Sequence, residues 1–130
     1  MADDSQKILL IDDDTFLLDM YSVKFNEAAI KIDVAQDGEE ALDKIRENKY
    51  KAILLDIIMP NLDGFELLKK VKEEKLANST PIIILSNLGQ RDDLEKGLSL
   101  GADDYIVKAN FTPSEVLEKL KEIIERKNKK

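Results

Sequence analysis

Four carboxylates that directly follow apolar runs are the first candidates for chemistry. Asp12, Asp13 and Asp14 come after one such run, and Asp56 comes after another. We interpret Asp14 as a helix cap, because an Asp side chain at a helix start accepts a hydrogen bond from a free backbone N–H. If the two runs are neighbouring strands of a parallel sheet, the other three carboxylates meet at one edge of that sheet.

Such a cluster needs a counter-charge. Two unit charges about 4 Å apart repel by about 4 kcal/mol at an effective dielectric near 20, so either a carboxylate is protonated or a cation lies among them. The chain has no His and no Cys, which leaves only oxygen ligands and excludes thiolate chemistry. A few carboxylates that leave room for water favour Mg²⁺, which also binds phosphate oxygens. The hypothesis is a magnesium site at Asp12, Asp13 and Asp56.

Two more polar side chains follow apolar runs. Ser86 follows the run PIIIL, and Lys108 follows YIV. Each alone is typical of a surface turn, but together with three carboxylates they indicate a phosphoryl site. The ammonium and the metal would neutralise phosphoryl oxygens, the hydroxyl would donate a hydrogen bond, and an Asp would be the nucleophile that forms an aspartyl-phosphate.

The elements that position these side chains alternate along the chain. Stretches with helical spacing separate the apolar runs, and this alternation predicts parallel strands with helices on both faces. Three runs are apolar throughout, which is typical of central strands, whereas the second alternates and predicts an edge strand. We predict an α/β fold, a five-stranded doubly wound parallel sheet of order 2-1-3-4-5 and flavodoxin-like (βα)5 topology, with its site at the carboxyl ends of the strands. The runs are 7–11, 30–35, 52–55, 82–85 and 105–107.

Three helix starts carry the pattern of a capping box, in which a side-chain oxygen and a Glu three residues later satisfy free N–H groups. They begin at Asp37, Asp63 and Thr112, and Pro113 follows the last as a favourable first helical residue.

Length and charge limit the class of protein. The 130 residues predict one domain, 1–130, with one core. The net charge of −7 disfavours a direct nucleic-acid partner, because phosphate binding needs a basic face. The basic tail 126–130 is interpreted as the end of a helix, whose dipole favours cations. No apolar run approaches the roughly 20 residues of a membrane span, and no leader opens the sequence, so we expect a cytoplasmic protein without a membrane partner.

Four motifs resemble one family. In order and at family spacing, KILLIDDD, LLDIIMPNLDGFELL, PIIILS and GADDYIVK are similar to the receiver domain of bacterial two-component response regulators, of the single-domain chemotaxis type. The resemblance implies a phosphorylation-dependent switch that receives a phosphoryl group from a sensor histidine kinase or a histidine phosphotransfer protein. It implies a downstream protein target or a fused output domain, a monomer or weak dimer, and no catalysis beyond the protein's own phosphorylation and dephosphorylation.

The resemblance also implies residue roles. Asp56 would be the phosphoacceptor, and Asp12, Asp13 and Asp56 would hold Mg²⁺ together with the backbone carbonyl of Ile58. Ser86 and Lys108 would contact the phosphoryl group. Tyr105 would move inward when Ser86 is drawn to the phosphate, which would change the face formed by the fourth helix, fifth strand and fifth helix. Each of these roles is an expectation carried over from the matching position of the family motifs.

Three features depart from the family pattern. Asn87 follows Ser86 where a small residue is usual, and Ala109 follows Lys108 where Pro is usual, which leaves the isomer of that peptide open. Ile58 and Leu88 flank the site where relatives can carry polar residues that position the hydrolytic water. The hypothesis is that these apolar side chains exclude that water and prolong the life of the phosphoryl group.

Three other classes of protein share some of these features. A Mg²⁺-dependent phosphohydrolase of the haloacid-dehalogenase type also places an Asp cluster after a strand, but it needs Thr or Val where this chain has Phe16. A flavodoxin-like electron carrier is disfavoured because the carboxylates after the first strand would repel its phosphate. A receiver-like interaction module that is never phosphorylated stays open because of Asn87 and Ala109.

Overall fold

Within the described residues, five strands alternate with five α-helices, as the sequence predicts. The computed structural model describes residues 7–128, and the predicted basic tail therefore lies partly outside the described residues. A short 3-10 helix, Lys108–Asn110, joins the last strand to the last helix. The strands are β1 (Ile8–Ile11), β2 (Ile32–Ala35), β3 (Ala52–Leu55), β4 (Ile82–Ser86) and β5 (Asp104–Val107). The helices are α1 (Thr15–Glu27), α2 (Gly38–Glu47), α3 (Gly64–Glu73), α4 (Arg91–Ser99) and α5 (Pro113–Asn128).

The five strands form one parallel sheet of order β2-β1-β3-β4-β5, which confirms the predicted topology and the flavodoxin-like α/β fold. Strand order reverses between β1 and β3, so these two strands flank the switch point. Their register pairs Ile11 with Leu55. Asp12 directly follows β1 and Asp56 directly follows β3, so the register brings these two residues side by side.

Apolar residues cover both faces of the sheet. One buried cluster lies between the sheet and helices α2, α3 and α4, and the other lies between the sheet and helices α1 and α5. Strands β1, β3 and β4 are buried along their whole length, while β2 is mostly half-buried. The apolar runs and the alternating run thus predicted the central strands and the edge strand correctly, because a strand covered on both faces needs apolar residues on both.

Side chains cap the predicted helix starts. The carboxylate of Asp37 accepts from the N–H of Glu40, and that of Asp63 accepts from the N–H of Glu66. Thr112 and Glu115 exchange two hydrogen bonds and form a complete capping box. The box at Asp37 differs from the prediction, because the Glu40 carboxylate accepts from the N–H of Gln36, one residue earlier. No helix within residues 7–128 is both long enough and apolar enough to cross a bilayer.

Candidate metal and phosphoryl site

The first two carboxylates of the site are positioned by the backbone of β1 and β3. The N–H of Asp12 donates to the carbonyl of Ala35 at 3.0 Å, and the N–H of Asp56 donates to the carbonyl of Ile11 at 3.0 Å. Both bonds continue the ladders of the parallel sheet one residue beyond the strands. Asp12 and Asp56 are therefore held by the sheet itself rather than by a mobile loop.

Carboxylate oxygens of Asp12, Asp13 and Asp56 all lie within 4.8 Å of one another. Asp12 and Asp56 are buried, with 1% and 6% of their surface exposed, while Asp13 is exposed. One oxygen of Asp12 accepts the N–H of Asp14 at 3.0 Å, and one oxygen of Asp56 accepts the N–H of Ile57 at 2.7 Å. Each buried carboxylate thus has one oxygen oriented by the backbone and a second that faces the centre of the site.

Lys108 lies between those second oxygens. Its Nζ is 2.5 Å from Oδ2 of Asp12 and 3.1 Å from Oδ2 of Asp56, and its side chain is only 11% exposed. Three carboxylates and one ammonium leave two formal negative charges. A divalent cation would balance that excess, and hard oxygen ligands are the ones that Mg²⁺ prefers. The donor set and its charge therefore fit a divalent metal.

Burial acts on both partners of this ion pair. It raises the pKa of Asp12, and the hydrogen bond and charge of Lys108 offset that effect only in part. Burial by itself lowers the pKa of Lys108, but the hydrogen bond to Asp12 and the charge of Asp56 outweigh it, so the pKa of Lys108 is raised. Lys108 therefore stays charged at neutral pH. The ionised form of Asp12 is the one that would benefit from an added cation.

Ser86 and Tyr105 both form hydrogen bonds with the backbone of Leu88. Ser86 is the fully buried last residue of β4, and its Oγ accepts the N–H of Leu88 at 3.3 Å. Tyr105 on β5 is 8% exposed, and its hydroxyl donates to the carbonyl of Leu88 at 2.5 Å. Both polar backbone groups of Leu88 are therefore held by the two residues that the resemblance assigns to the switch. In this structure the ring of Tyr105 is packed inward.

The rim of the site is partly apolar. Ile58 is 60% exposed, Leu88 is half-buried, and Asn87 is exposed. The described residues contain no cis peptide bond, so the peptide between Lys108 and Ala109 is trans. Ala109 is exposed within the short 3-10 helix that begins at Lys108.

Sequence reasoning missed the role of Gly64, the residue that follows the capping Asp63. A Cβ at Gly64 would lie 2.2 Å from the carbonyl oxygen of Asp56, and the N–H of Gly64 donates to the carbonyl of Ile57 at 2.8 Å. Helix α3 therefore begins in direct contact with the backbone that carries Asp56. The signal in the sequence was a Gly directly after a helix-capping Asp, where a residue with a side chain would ordinarily serve.

Fold and site together define a parallel α/β protein with an acidic, divalent-metal-type site at the switch point of its sheet. Residues 8–121 match the family model of the response regulator receiver domain, and the chain belongs to this family. This result rules out the haloacid-dehalogenase and electron-carrier interpretations. The acidic cluster with Lys108 at the switch point agrees with this family.

Individual relatives agree with the family. The chain is 36% identical over 122 residues to the transcriptional regulatory protein SrrA of Staphylococcus aureus, and the match covers 94% of this chain and 49% of that protein. The chain therefore spans about half the length of the curated relatives that it matches. It is also similar to the receiver domain of the Francisella response regulator 1452, with 39% identity, a TM-score of 0.85 and coverage of 93% and 98% of the two chains.

A third similar structure is the BeF3-activated receiver domain of DrrB, a Thermotoga maritima protein. It shares 30% identity with this chain at a TM-score of 0.80, and the match covers 92% of this chain and 97% of that one.

Proposed function

We propose that this chain is a phosphorylation-dependent signalling switch and that Asp56 is its phosphoacceptor. The donor would be a sensor histidine kinase or a histidine phosphotransfer protein. An oxygen of Asp56 would attack phosphorus and form the new P–O bond, while the P–N bond to the donor histidine breaks and the imidazole leaves with the electron pair. Receivers of this kind catalyse at most this transfer and the later hydrolysis of the aspartyl-phosphate.

One observation carries the proposal: Asp56 is buried, adjoins two further carboxylates and has its free oxygen bonded to Lys108. Asp12 and Asp56 each accept one backbone N–H, and their second oxygens share the single ammonium of Lys108. With the carboxylate of Asp13, the cluster keeps a net negative charge that a divalent cation would balance. Such an arrangement supports an acceptor at which Lys108 and a bound divalent cation together neutralise the incoming phosphoryl oxygens.

The metal of the site would be Mg²⁺, held by Asp12, Asp13 and Asp56 with the backbone carbonyl of Ile58. When bound, it would supply positive charge to the phosphoryl oxygens and lower the barrier to attack by a carboxylate. Lys108 would contribute charge from the protein side. Its contacts to Asp12 and Asp56 support this role, since a small movement would carry the ammonium from a carboxylate to a phosphoryl oxygen.

The switch would use the contacts at Leu88. A phosphoryl group on Asp56 adds about −1.5 to −2 charge and three acceptor oxygens. The hydroxyl of Ser86 would turn to donate to one of them, which would loosen its bond with the N–H of Leu88. Tyr105 is already packed inward and holds the carbonyl of the same residue, so the change would be a repacking of its ring at Leu88 rather than the inward movement that the resemblance implies. The face formed by α4, β5 and α5 would then differ between two states that a partner protein distinguishes.

The test uses a small-molecule phosphodonor, such as acetyl phosphate, with and without Mg²⁺, and reads the intact mass. We expect the parent to gain the mass of one phosphoryl group only with the metal, and Asp56→Asn to gain none. Asp14→Asn is the matched control: it lies in the same acidic run but serves as the cap of α1, so it should be modified like the parent. Modification of Asp56→Asn to the parent's extent would overturn the assignment of the acceptor.

An unmodified parent would instead favour the interaction module that is never phosphorylated. We further infer one domain over residues 1–130, a cytoplasmic location and a monomer or weak dimer. The output would be a downstream protein or a fused output domain, without direct contact to nucleic acid from this chain. The chain matches about half of SrrA, and that relative therefore has room for a second domain. This length supports a fused output domain as one of the two outputs, the other being a separate downstream protein.

A further inference from the structure

Helix α4 buries fewer residues than any other helix among the described residues. It has nine residues, and an isolated helix of that length is marginal in water. Its N-cap residue, Gln90, makes no side-chain capping bond, whereas Asp14, Asp37 and Asp63 cap α1, α2 and α3. Gly97 is its only buried residue. The position of α4 therefore depends on few contacts.

One of those contacts is made by backbone. A Cβ at Gly97 would lie 2.4 Å from the side chain of Ile84 and 3.3 Å from the ring of Tyr105. The helix thus rests directly on β4 and β5 at this point. Packing of backbone against two side chains sets the height of the helix above the sheet, but it does little to prevent sliding along it.

The neighbouring residue makes a contact of another kind. The Nζ of Lys96 lies 4.5 Å from the centroid of the Phe65 ring, which is within the range of a cation–π interaction. Phe65 is half-buried and packs against the core cluster under α2, α3 and α4. This contact joins α4 to α3, whereas Gly97 contacts only β4 and β5.

Phe65 is in turn fixed to the candidate site. It is the second residue of α3, and its predecessor Gly64 contacts the carbonyl of Asp56 and bonds to that of Ile57. A displacement of the segment after Asp56 would therefore move the Phe65 ring. One set of contacts thus connects Asp56 to α4 through Gly64, Phe65 and Lys96. The contacts of Ser86 and Tyr105 with Leu88 form a separate connection.

We propose that the Lys96–Phe65 pair is a clasp that transmits the state of the Asp56 segment to α4. The proposal rests on the proposed function, because the change at Asp56 is its phosphorylation. In the unmodified protein the clasp holds α4 against α3. When the segment after Asp56 rearranges around the phosphoryl group, the ring and the ammonium separate or realign, and α4 becomes free to take another position.

The first experiment measures the clasp in the unmodified protein. Lys96→Met keeps the apolar stem and removes the charge, and Phe65→Leu keeps apolar volume and removes the aromatic face. Amide hydrogen exchange of residues 95–100 reports the opening of α4. We expect each variant to raise exchange about 2- to 5-fold, and the double variant to exchange no faster than the faster single one. The amides of β1 and β3 should be unchanged, which shows that the fold is intact.

Arg91→Met is the matched control, because it removes a positive charge from the same helix at an exposed residue that, within residues 7–128, pairs with Glu95 alone. If Lys96→Met resembles this control, or if the effects of Lys96→Met and Phe65→Leu multiply in the double variant, the clasp does not exist.

The second experiment adds beryllofluoride and Mg²⁺ as a mimic of the phosphoryl group. We expect the exchange of α4 to change in the parent and to change less than half as much in Lys96→Met. An equal change in both would overturn the coupling and leave Tyr105 as the connection to α4. A parent that neither responds to beryllofluoride nor gains mass from acetyl phosphate would overturn the proposed function and the coupling together. The exchange cycle without beryllofluoride still decides the clasp in that case, so the two failures are distinguishable.

Discussion

The ammonium nitrogen of Lys108 lies 2.5 Å from a carboxylate oxygen of Asp12, although 96 positions separate the two residues in the chain. The same ammonium also bonds to Asp56 at 3.1 Å. Asp12 and Asp56 lie at the switch point between β1 and β3, whereas Lys108 follows β5 at the far edge of the sheet. The aliphatic stem of Lys108 therefore reaches inward past the end of β4. The ammonium group at its end is the cation that the described site contains.

Removal of that cation should destabilise the protein. Lys108→Met keeps the length of the stem but leaves Asp12 and Asp56 buried without their shared partner, which should lower the free energy of unfolding by about 3 kcal/mol. Urea denaturation at neutral pH with a chelator present measures the change. Added Mg²⁺ should stabilise the variant more than the parent, because the metal replaces the lost charge. Lys24→Met, which removes an exposed ion pair, should stay within about 0.5 kcal/mol of the parent. Equal stability of Lys108→Met and Lys24→Met would contradict the prediction.

The metal affinity should depend on Asp13 and be independent of Asp14. Asp13→Asn removes a ligand charge and should weaken Mg²⁺ binding at least about tenfold, as isothermal titration calorimetry would measure. Asp14→Asn retains an oxygen that accepts the N–H of Leu17, so it preserves the cap of α1 and should bind the metal like the parent. A similar loss in both variants would mean that general charge, not ligation, attracts the cation.

The stability of the metal-free protein should depend on the ionisation of Asp12. Because burial raises its pKa above the ordinary 3.8, the native state holds this proton more tightly than the unfolded chain. Ionisation therefore costs stability, and the cost grows as pH rises from below 3.8 through the raised pKa. Asp12→Asn cannot ionise, so its stability relative to the parent should increase over that interval. Denaturation of both proteins from about pH 3 to pH 7 tests this, and a pH-independent difference would refute it.

The life of the phosphoryl group should depend on Ile58. This side chain is 60% exposed beside the site, and an Asn in its place offers hydrogen bonds that can orient a hydrolytic water. We expect Ile58→Asn to shorten the lifetime of the phosphorylated protein by at least about threefold. Ile58→Val keeps the rim apolar and should behave like the parent. Decay of the phosphorylated mass after removal of the donor is the measurement, and equal lifetimes of Ile58→Asn and the parent would reject the hypothesis.

Close packing around Gly64 should make the protein intolerant of any residue with a side chain at this position. The added Cβ of Gly64→Ala would meet the carbonyl oxygen of Asp56 at 2.2 Å, and a backbone atom cannot yield as a flexible side chain does. We expect a loss of about 3 kcal/mol in unfolding free energy. Gly89→Ala is the control, since its Cβ would meet Val107 at an ordinary 3.4 Å. Thermal denaturation that ranks the two variants equally would contradict this account.

Much of the fold could be predicted because its signals are local. The apolar runs before Asp12, Asp56 and Ser86 proved to be β1, β3 and β4, and the alternating run proved to be the edge strand β2. Each pattern reflects how many faces of a strand are covered, and this is a property of the strand's own residues. The capping box of Glu40 was the exception, since its carboxylate bonds one residue earlier than expected.

The convergence of Asp12, Asp13 and Asp56 could also be predicted from the sequence, because this prediction needs only the strand order and the common direction of parallel strands. The contacts at Leu88 were not, since its N–H and carbonyl carry no signal in a side-chain pattern. Nor was the approach of Gly64 to the carbonyl of Asp56, which depends on where α3 lies over the sheet.

The sequence by itself determined the alternation of strands and helices, the acidic composition of the site and the absence of His and Cys chemistry. Only the tertiary structure decided that Lys108 neutralises Asp12 and Asp56 and that Lys96 lies over Phe65. The physical reason is one of range. Periodicity and capping depend on neighbours within a few residues, whereas the reach of a long side chain depends on how separate elements pack in space.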